Sequence, residues 1–132
     1  MAEFSKFMKI VLFINIIAGF IYGILYLFVP DLYAGLIDSP AYDPHFWRLW
    51  GGTCLSLGII GILGFVRNDW SQFKIIMEFV ILWLLIANIL NLASFVYLTR
   101  SPTNMVSEVI DIIVIFFIIG LDIYAILQEN KR

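Results

Sequence analysis

The amino-acid sequence predicts an all-α polytopic membrane protein, a bundle of four transmembrane helices with both termini in the cytoplasm. Composition is the first reason, because 62% of the 132 residues are apolar and only 14% are charged. A soluble domain of this size is about half apolar and a quarter charged. The mean hydropathy is +0.98. The second reason is that the apolar residues form four long runs, and the length allows a single domain.

Each run is long enough to cross the hydrocarbon core of a bilayer, which takes roughly 20 residues of helix. The first three runs carry no charged residue, and they cover Ile10–Val29, Leu49–Val66 and Phe79–Thr99. With their flanking residues, the four helices are expected at about 7–29, 46–66, 72–99 and 104–127.

The fourth run, Met105–Leu127, is long enough to span but contains Glu108, Asp111 and Asp122. A turn at Pro102 starts it, and its Ile and Phe surface needs cover from lipid or from other helices. We therefore expect it to cross the membrane as the others do.

The distribution of basic residues predicts the orientation. Most of them fall on the side of the termini: Lys6, Lys9, Arg67, Lys74, Lys131 and Arg132. Only Arg48 and Arg100 fall on the other side, so the positive-inside rule places both termini in the cytoplasm. On the outer side, the acidic segment Asp31–Ile37 is expected to form a short interfacial helix.

Small residues in the first two helices predict close helix packing, because they let backbones approach in lipid, where the hydrophobic effect does not drive helices together. In helix three, Asn88 is expected to hydrogen-bond across helices. The residues assigned to inter-helix packing are Gly19, Gly23, Gly51, Gly52, Gly58, Gly61 and Asn88. A ligand slot opened by the missing side chains is the alternative.

Helix four carries its acids on one face, since Glu108, Asp111 and Asp122 fall within about 60° of arc. Arg48 lies at the matching depth of helix two, so we expect an ion pair between Arg48 and Glu108 or Asp111, with Asn91 close by. This pair either holds the helices in register or forms a site in which Arg48 meets an anionic headgroup or solute. The second carboxylate would then carry a proton or a cation.

Asp122 has no basic residue at its depth among the four helices. Two states are open for it: protonated, or hydrogen-bonded to Asn15 at a comparable position of helix one. In either state Asp122 and Asn15 are the candidates for a proton relay.

The sequence argues against several function classes. With 8 basic against 10 acidic residues and no basic cluster, nucleic-acid binding is not expected. The one cysteine, Cys54, excludes a disulfide within the chain. The one histidine, His45, lies at a different depth from Ser56 and Cys54, so neither a metal site nor a nucleophilic catalytic site is predicted. No particular cofactor is indicated.

Helix one ends in Leu27-Phe28-Val29-Pro30 and is followed by an acidic loop. Helix two then opens with Phe46-Trp47-Arg48-Leu49-Trp50-Gly51-Gly52 and continues with Leu55-Ser56-Leu57-Gly58. These segments resemble the small four-helix membrane proteins of prokaryotes that are DoxX-like or of unknown function. The resemblance covers about the first half of the chain. It implies a four-helix fold in a prokaryotic cytoplasmic membrane and supplies no activity.

Three functions remain open. The favoured one is a non-enzymatic membrane protein, either an accessory or scaffold subunit or a bundle that binds a lipid-like ligand. Its partners would be membrane lipid and, alternatively, a larger membrane complex or a second copy of the chain. The second is a small ion- or proton-coupled transporter that uses buried acids. The third is an intramembrane enzyme that modifies a lipid.

Overall fold

A computed structural model describes residues 3–131, and within that range the chain forms five α-helices and no strand. The helices are α1 (Lys6–Leu27), α2 (Pro30–Leu36), α3 (Pro44–Arg67), α4 (Trp70–Tyr97) and α5 (Pro102–Glu129). All but α2 are long and apolar enough to cross a membrane. The predicted fold class is confirmed, while the cytoplasmic position of the termini stays a prediction. Of the basic residues used for it, Arg132 lies outside the described range.

The observed helix bounds differ from the expected ones by at most two residues. Local interactions explain where the long helices begin. Side chains of Ser5, Asp43, Asp69 and Ser101 each accept a hydrogen bond from a backbone N–H in the first turn. Among the four long helices, α3 and α5 begin with proline, which is tolerated in the first turn, and both start two residues earlier than expected.

The short helix expected at Asp31–Ile37 is present as α2, while its position at the membrane interface stays a prediction. It begins at Pro30, and it exposes Leu32 and Leu36 on its outer surface. Asn104 ties its end to the bundle, because the Asn104 side chain at the start of α5 donates to the carbonyl of Ile37 over 3.1 Å.

Each of the four long helices is antiparallel to the next long helix in the chain, so the bundle has two distinct ends. We call the end with residues 3–5, 68–69 and 130–131 the terminal side, and the end with residues 28–43 and 98–101 the loop side. On the terminal side, the N–H groups of Phe4 and Ser5 donate to Asn68 and Glu129 over 3.1 and 2.9 Å. These bonds fix the N-terminal segment across the ends of α3 and α5.

Glycines set the close approach of α1 and α3. A Cβ added at Gly19 would lie 2.9 Å from the carbonyl oxygen of Cys54, and one at Gly23 would lie 2.9 Å from Leu55 Cβ. Gly51 faces the backbone of Tyr26 and Leu27 even more closely. Small residues therefore replace side-chain contact by backbone contact along this interface.

Of the other predicted packing residues, three make contacts between helices and one does not. Gly58 and Gly61 meet Phe20 and Ile16 of α1, and Asn88 donates to the carbonyl of Ile112 on α5 over 3.3 Å. The packing role expected for Gly52 is wrong. It follows Gly51 by one residue, about 100° around the helix, and no neighbour lies within 4 Å of a Cβ built there.

A hydrophobic core closes the terminal side of the bundle. Its buried members come from the N-terminal segment, α1, α4 and α5: Phe4, Met8, Val11, Leu12, Trp70, Phe73, Met77, Ala125 and Ile126. Phe4 packs edge-on against Phe73 and Trp70, with ring centroids 5.8 and 6.4 Å apart. Gly64 of α3 contacts Phe73 of this core next to the turn that joins α3 to α4, whereas most of α3 packs on α1.

The adjacent glycines of α3 provide a matched test of this packing. Gly51→Ala is expected to lower the free energy of unfolding by about 1–3 kcal/mol, because the methyl group forces α1 and α3 apart. Gly52→Ala is expected to be neutral or slightly stabilising, since it gains helix propensity and meets nothing. Reversible unfolding in mixed micelles measures both. Equal losses in the two variants would contradict the assigned α1–α3 interface.

Candidate ligand-binding cavity

A cavity of about 470 Å³ lies between α1, α3, α4 and α5. Most of its exposed lining residues, such as Pro40, Ala41 and Tyr97, lie at the loop side, and Leu90 in the middle of α4 is exposed as well. At the other end its lining includes Leu12 and Phe73, which are members of the hydrophobic core. The cavity therefore opens toward the loop side and ends on the terminal-side core. Its volume is within the range of about 300–1,000 Å³ that is usual for small-molecule sites.

Arg100 forms the polar end of the cavity together with Glu108. The turn between α4 and α5 covers only residues 98–101, so it returns the Arg100 side chain into the bundle, where 3% of it is exposed. Arg100 Nη1 lies 3.3 Å from Glu108 Oε1. The guanidinium also donates to the side chains of Asn104 and Ser94, and it lies 4.9 Å above the ring of Phe95. A buried charge is stable only with such pairing.

The ion pair expected between Arg48 and Glu108 or Asp111 is wrong. Arg48 Nη2 lies 3.9 Å from Asp31 Oδ2, and 53% of the Arg48 side chain is exposed. The cavity face of α3 carries Trp47, and Arg48 is the next residue, turned by about 100° around the helix axis. It therefore points to the outside of the bundle, and Arg100 takes the place assigned to it.

The other members of the predicted site do meet. Asn91, Glu108 and Asp111 all line the cavity near Arg100. The hydroxyl of Tyr22 on α1 donates to Asp111 Oδ1 over 2.7 Å. Within residues 3–131 no Lys, Arg or His forms an ion pair with Asp111. Asp111 is thus a carboxyl group at the cavity with a hydroxyl donor and no basic partner.

The predicted bond between Asn15 and Asp122 is confirmed. Asn15 Nδ2 donates to Asp122 Oδ1 over 2.7 Å and joins α1 to α5. Asn15 lines the cavity, whereas Asp122 is fully buried behind it and does not. No donor in the described part of the chain reaches Asp122 Oδ2. The proton relay assigned to these two residues stays a prediction.

Aromatic rings line the loop-side half of the cavity and pack on one another. The Tyr26 ring lies at the centre, with centroid distances of 4.8 Å to Trp47, 5.2 Å to Tyr33 and 6.1 Å to Tyr22. We call these four residues the aromatic cluster. Burial is the main cause that raises the pKa of Tyr33 above its usual value.

A second aromatic contact links the two helices that flank the cavity. Trp50 of α3 and Trp83 of α4 stack with ring centroids 4.7 Å apart and an interplanar angle of 23°. Both rings also line the cavity. This stack is a side-chain bridge across the cleft between α3 and α4.

The sequence analysis above does not assign Arg100 or the aromatic residues to the site, although the sequence contains an indication of each. Arg100 is the basic residue nearest in the chain to Glu108, and a four-residue turn separates the helices around it. On α1, Asn15, Gly19, Tyr22 and Tyr26 follow a spacing of three and four residues, which places them on one helix face. All four line the cavity.

The described residues offer no group of three or more His, Cys, Asp or Glu side chains that would hold a metal ion. What the cavity offers is a mixed lining: charged and polar groups at the loop side, aromatic rings next to them, and aliphatic side chains toward the core. This arrangement can bind a molecule with a polar end and an apolar end.

The two arginines on the loop side allow a matched test of the site geometry. Arg100→Gln is expected to lower the free energy of unfolding by about 3 kcal/mol, because it leaves the partly buried Glu108 without its basic partner. Arg48→Gln is expected to change it by less than about 1 kcal/mol, since its pair with Asp31 is exposed to solvent. Thermal denaturation of both variants and of the wild-type protein in one detergent measures the two losses of stability. A larger loss for Arg48→Gln would contradict the placement of Arg100.

No protein-family model matches the chain, and neither does any curated protein or solved structure. The resemblance to the DoxX-like proteins stays a prediction, and the function has to be argued from the cavity itself.

Proposed function

We propose that this integral membrane protein is not an enzyme and binds a lipid-like amphiphile in the cavity between its four transmembrane helices. The observation that carries the proposal is the cavity of about 470 Å³, which has a charged end at the loop side and an apolar end at the core. A ligand with a polar headgroup and a short apolar tail matches this order of side chains. We place the protein in a prokaryotic cytoplasmic membrane with both termini in the cytoplasm.

The chemistry of the lining supports an amphiphile over a wholly polar solute. Beyond the charged end, the lining continues through Trp50 and Trp83 to Leu57, Val80 and Leu84. A polar solute would lose its hydration along this wall without gaining hydrogen bonds. An alkyl or acyl chain would gain contact with the same side chains.

The closed terminal side supports binding over transport. A transport path has to continue past the cavity, and the hydrophobic core occupies that position with buried side chains such as Met8 and Met77. One observation favours the alternative of a proton-coupled transporter: Asp122, with Asn15, lies between the cavity and this core. Proton flux in liposomes that disappears in Asp122→Asn would support that alternative.

A pair of tryptophan substitutions on α4 tests the proposed function. Val80 lines the cavity, whereas Val96 is 89% exposed on the outer surface of the same helix. Val80→Trp is expected to fill part of the cavity and to lower the amount of co-purifying or added amphiphile at least fivefold. Val96→Trp adds the same side chain toward lipid and is expected to retain the wild-type amount.

Native mass spectrometry of the protein in detergent measures the retained molecules. Both variants should show the thermal stability of the wild-type protein, which excludes misfolding as the cause of a loss. Retention of amphiphile by Val80→Trp at the wild-type level would contradict binding in the cavity.

A further inference from the structure

We infer that the amphiphile carries a cationic headgroup, an amine or a quaternary ammonium, which is held by the Asp111 carboxylate and by the ring faces of Tyr26 and Trp47. The inference rests on the proposed function and adds the chemical class of the ligand. It follows from the balance of charges at the loop side and from the aromatic lining beside it.

The charges at the loop side do not balance. Arg100 is matched by Glu108, whose Oε1 lies 3.3 Å from Nη1. Asp111 also lines the cavity, and its partner is the neutral hydroxyl of Tyr22. When both carboxyl groups are ionised, they and the one guanidinium leave one negative charge in excess. In a membrane-embedded cavity an unpaired charge is costly, and a ligand cation would remove that cost.

The aromatic cluster supplies the second part of a cation site. Tyr22, Tyr26 and Trp47 line the cavity. Tyr22 bonds Asp111, and the Tyr26 ring lies 6.1 Å from that of Tyr22 and 4.8 Å from that of Trp47, so the rings continue from the carboxylate. Cations bind over the faces of Trp and Tyr rings within about 6 Å of the centroid, and this is the usual recognition of quaternary ammonium groups.

An anionic headgroup fits the same place poorly. The guanidinium of Arg100 already donates to Ser94 and Asn104 and pairs with Glu108. The one guanidinium donor without a partner in the described part of the chain is the buried Nε–H, so a phosphate or carboxylate that needs more than one donor would have to displace one of these partners. It would also lie close to both Glu108 and Asp111, and like charges repel strongly in such an environment. The charge complementarity therefore selects a cation.

Three amphiphiles with the same octyl tail test the headgroup: octyltrimethylammonium, octyl sulfate and octyl glucoside. Titration calorimetry on the full chain in maltoside micelles, with empty micelles as the blank, gives the affinity of each. The wild-type protein is expected to bind octyltrimethylammonium at least tenfold more tightly than the other two. Asp111→Asn is expected to lower the affinity for octyltrimethylammonium at least tenfold. Its affinity for octyl glucoside is expected to stay within twofold of wild type.

Asp31→Asn is the matched control. It removes one negative charge from the same side of the protein, but 73% of the Asp31 side chain is exposed and it does not line the cavity. Its affinity for octyltrimethylammonium is expected to stay within twofold of wild type. The second test variant is Trp47→Leu, which changes no charge. It is expected to lower the affinity for octyltrimethylammonium at least threefold. It keeps the inference testable if Asp111→Asn does not fold.

The outcomes separate this inference from the proposed function. Equal or tighter binding of octyl sulfate, tighter binding of zwitterionic octylphosphocholine, or an unchanged ammonium affinity in Asp111→Asn would overturn the cationic headgroup. If all three octyl ligands bind equally and Val80→Trp abolishes their binding, the proposed function stands and the inference fails. If the wild-type protein binds none of them, both fail.

Discussion

The buried guanidinium of Arg100 is the constraint on which the loop side of this protein depends. A positive charge inside an apolar bundle has to be paired, and the pairing brings together Glu108, Asn104 and Ser94 from two helices. Asn104 in turn bonds the carbonyl of Ile37, so the same cluster positions the end of α2. Glu108 pairs with Arg100, whereas Asp111 accepts a hydrogen bond from Tyr22 on α1 and lines the cavity without a basic partner among the described residues.

The helices pack differently at the two ends of the bundle. On the terminal side, Phe4, Met8 and Trp70 fill the space between the helices. Toward the loop side, α1 and α3 stay in backbone contact through Gly51 and Gly23. Across the cavity, α3 and α4 are bridged by the stacked rings of Trp50 and Trp83. Close packing at one end and a lined cavity at the other are what the proposed binding of an amphiphile requires.

The sequence predicts the fold well because length, hydropathy and helix caps are local properties. It also predicts contacts in which only one partner of the right chemistry exists at the right depth, as for Asn15 with Asp122. It fails where two candidates compete. Arg48 and Arg100 lie on the same side, and the choice between them depends on the rotation of α3 and on the path of a four-residue turn. The same rotation separates Gly51 from Gly52, and ring contacts such as that of Tyr26 with Trp47 form only after the helices have packed.

The most direct test of this account is a structure of the full chain with octyltrimethylarsonium, in which arsenic replaces the headgroup nitrogen and is located by its anomalous scattering. We expect one arsenic site inside the bundle, beside the Asp111 carboxylate and within about 6 Å of the ring centroids of Tyr26 or Trp47. Arsenic found only in the detergent belt around the helices, or at the terminal-side core, would contradict it.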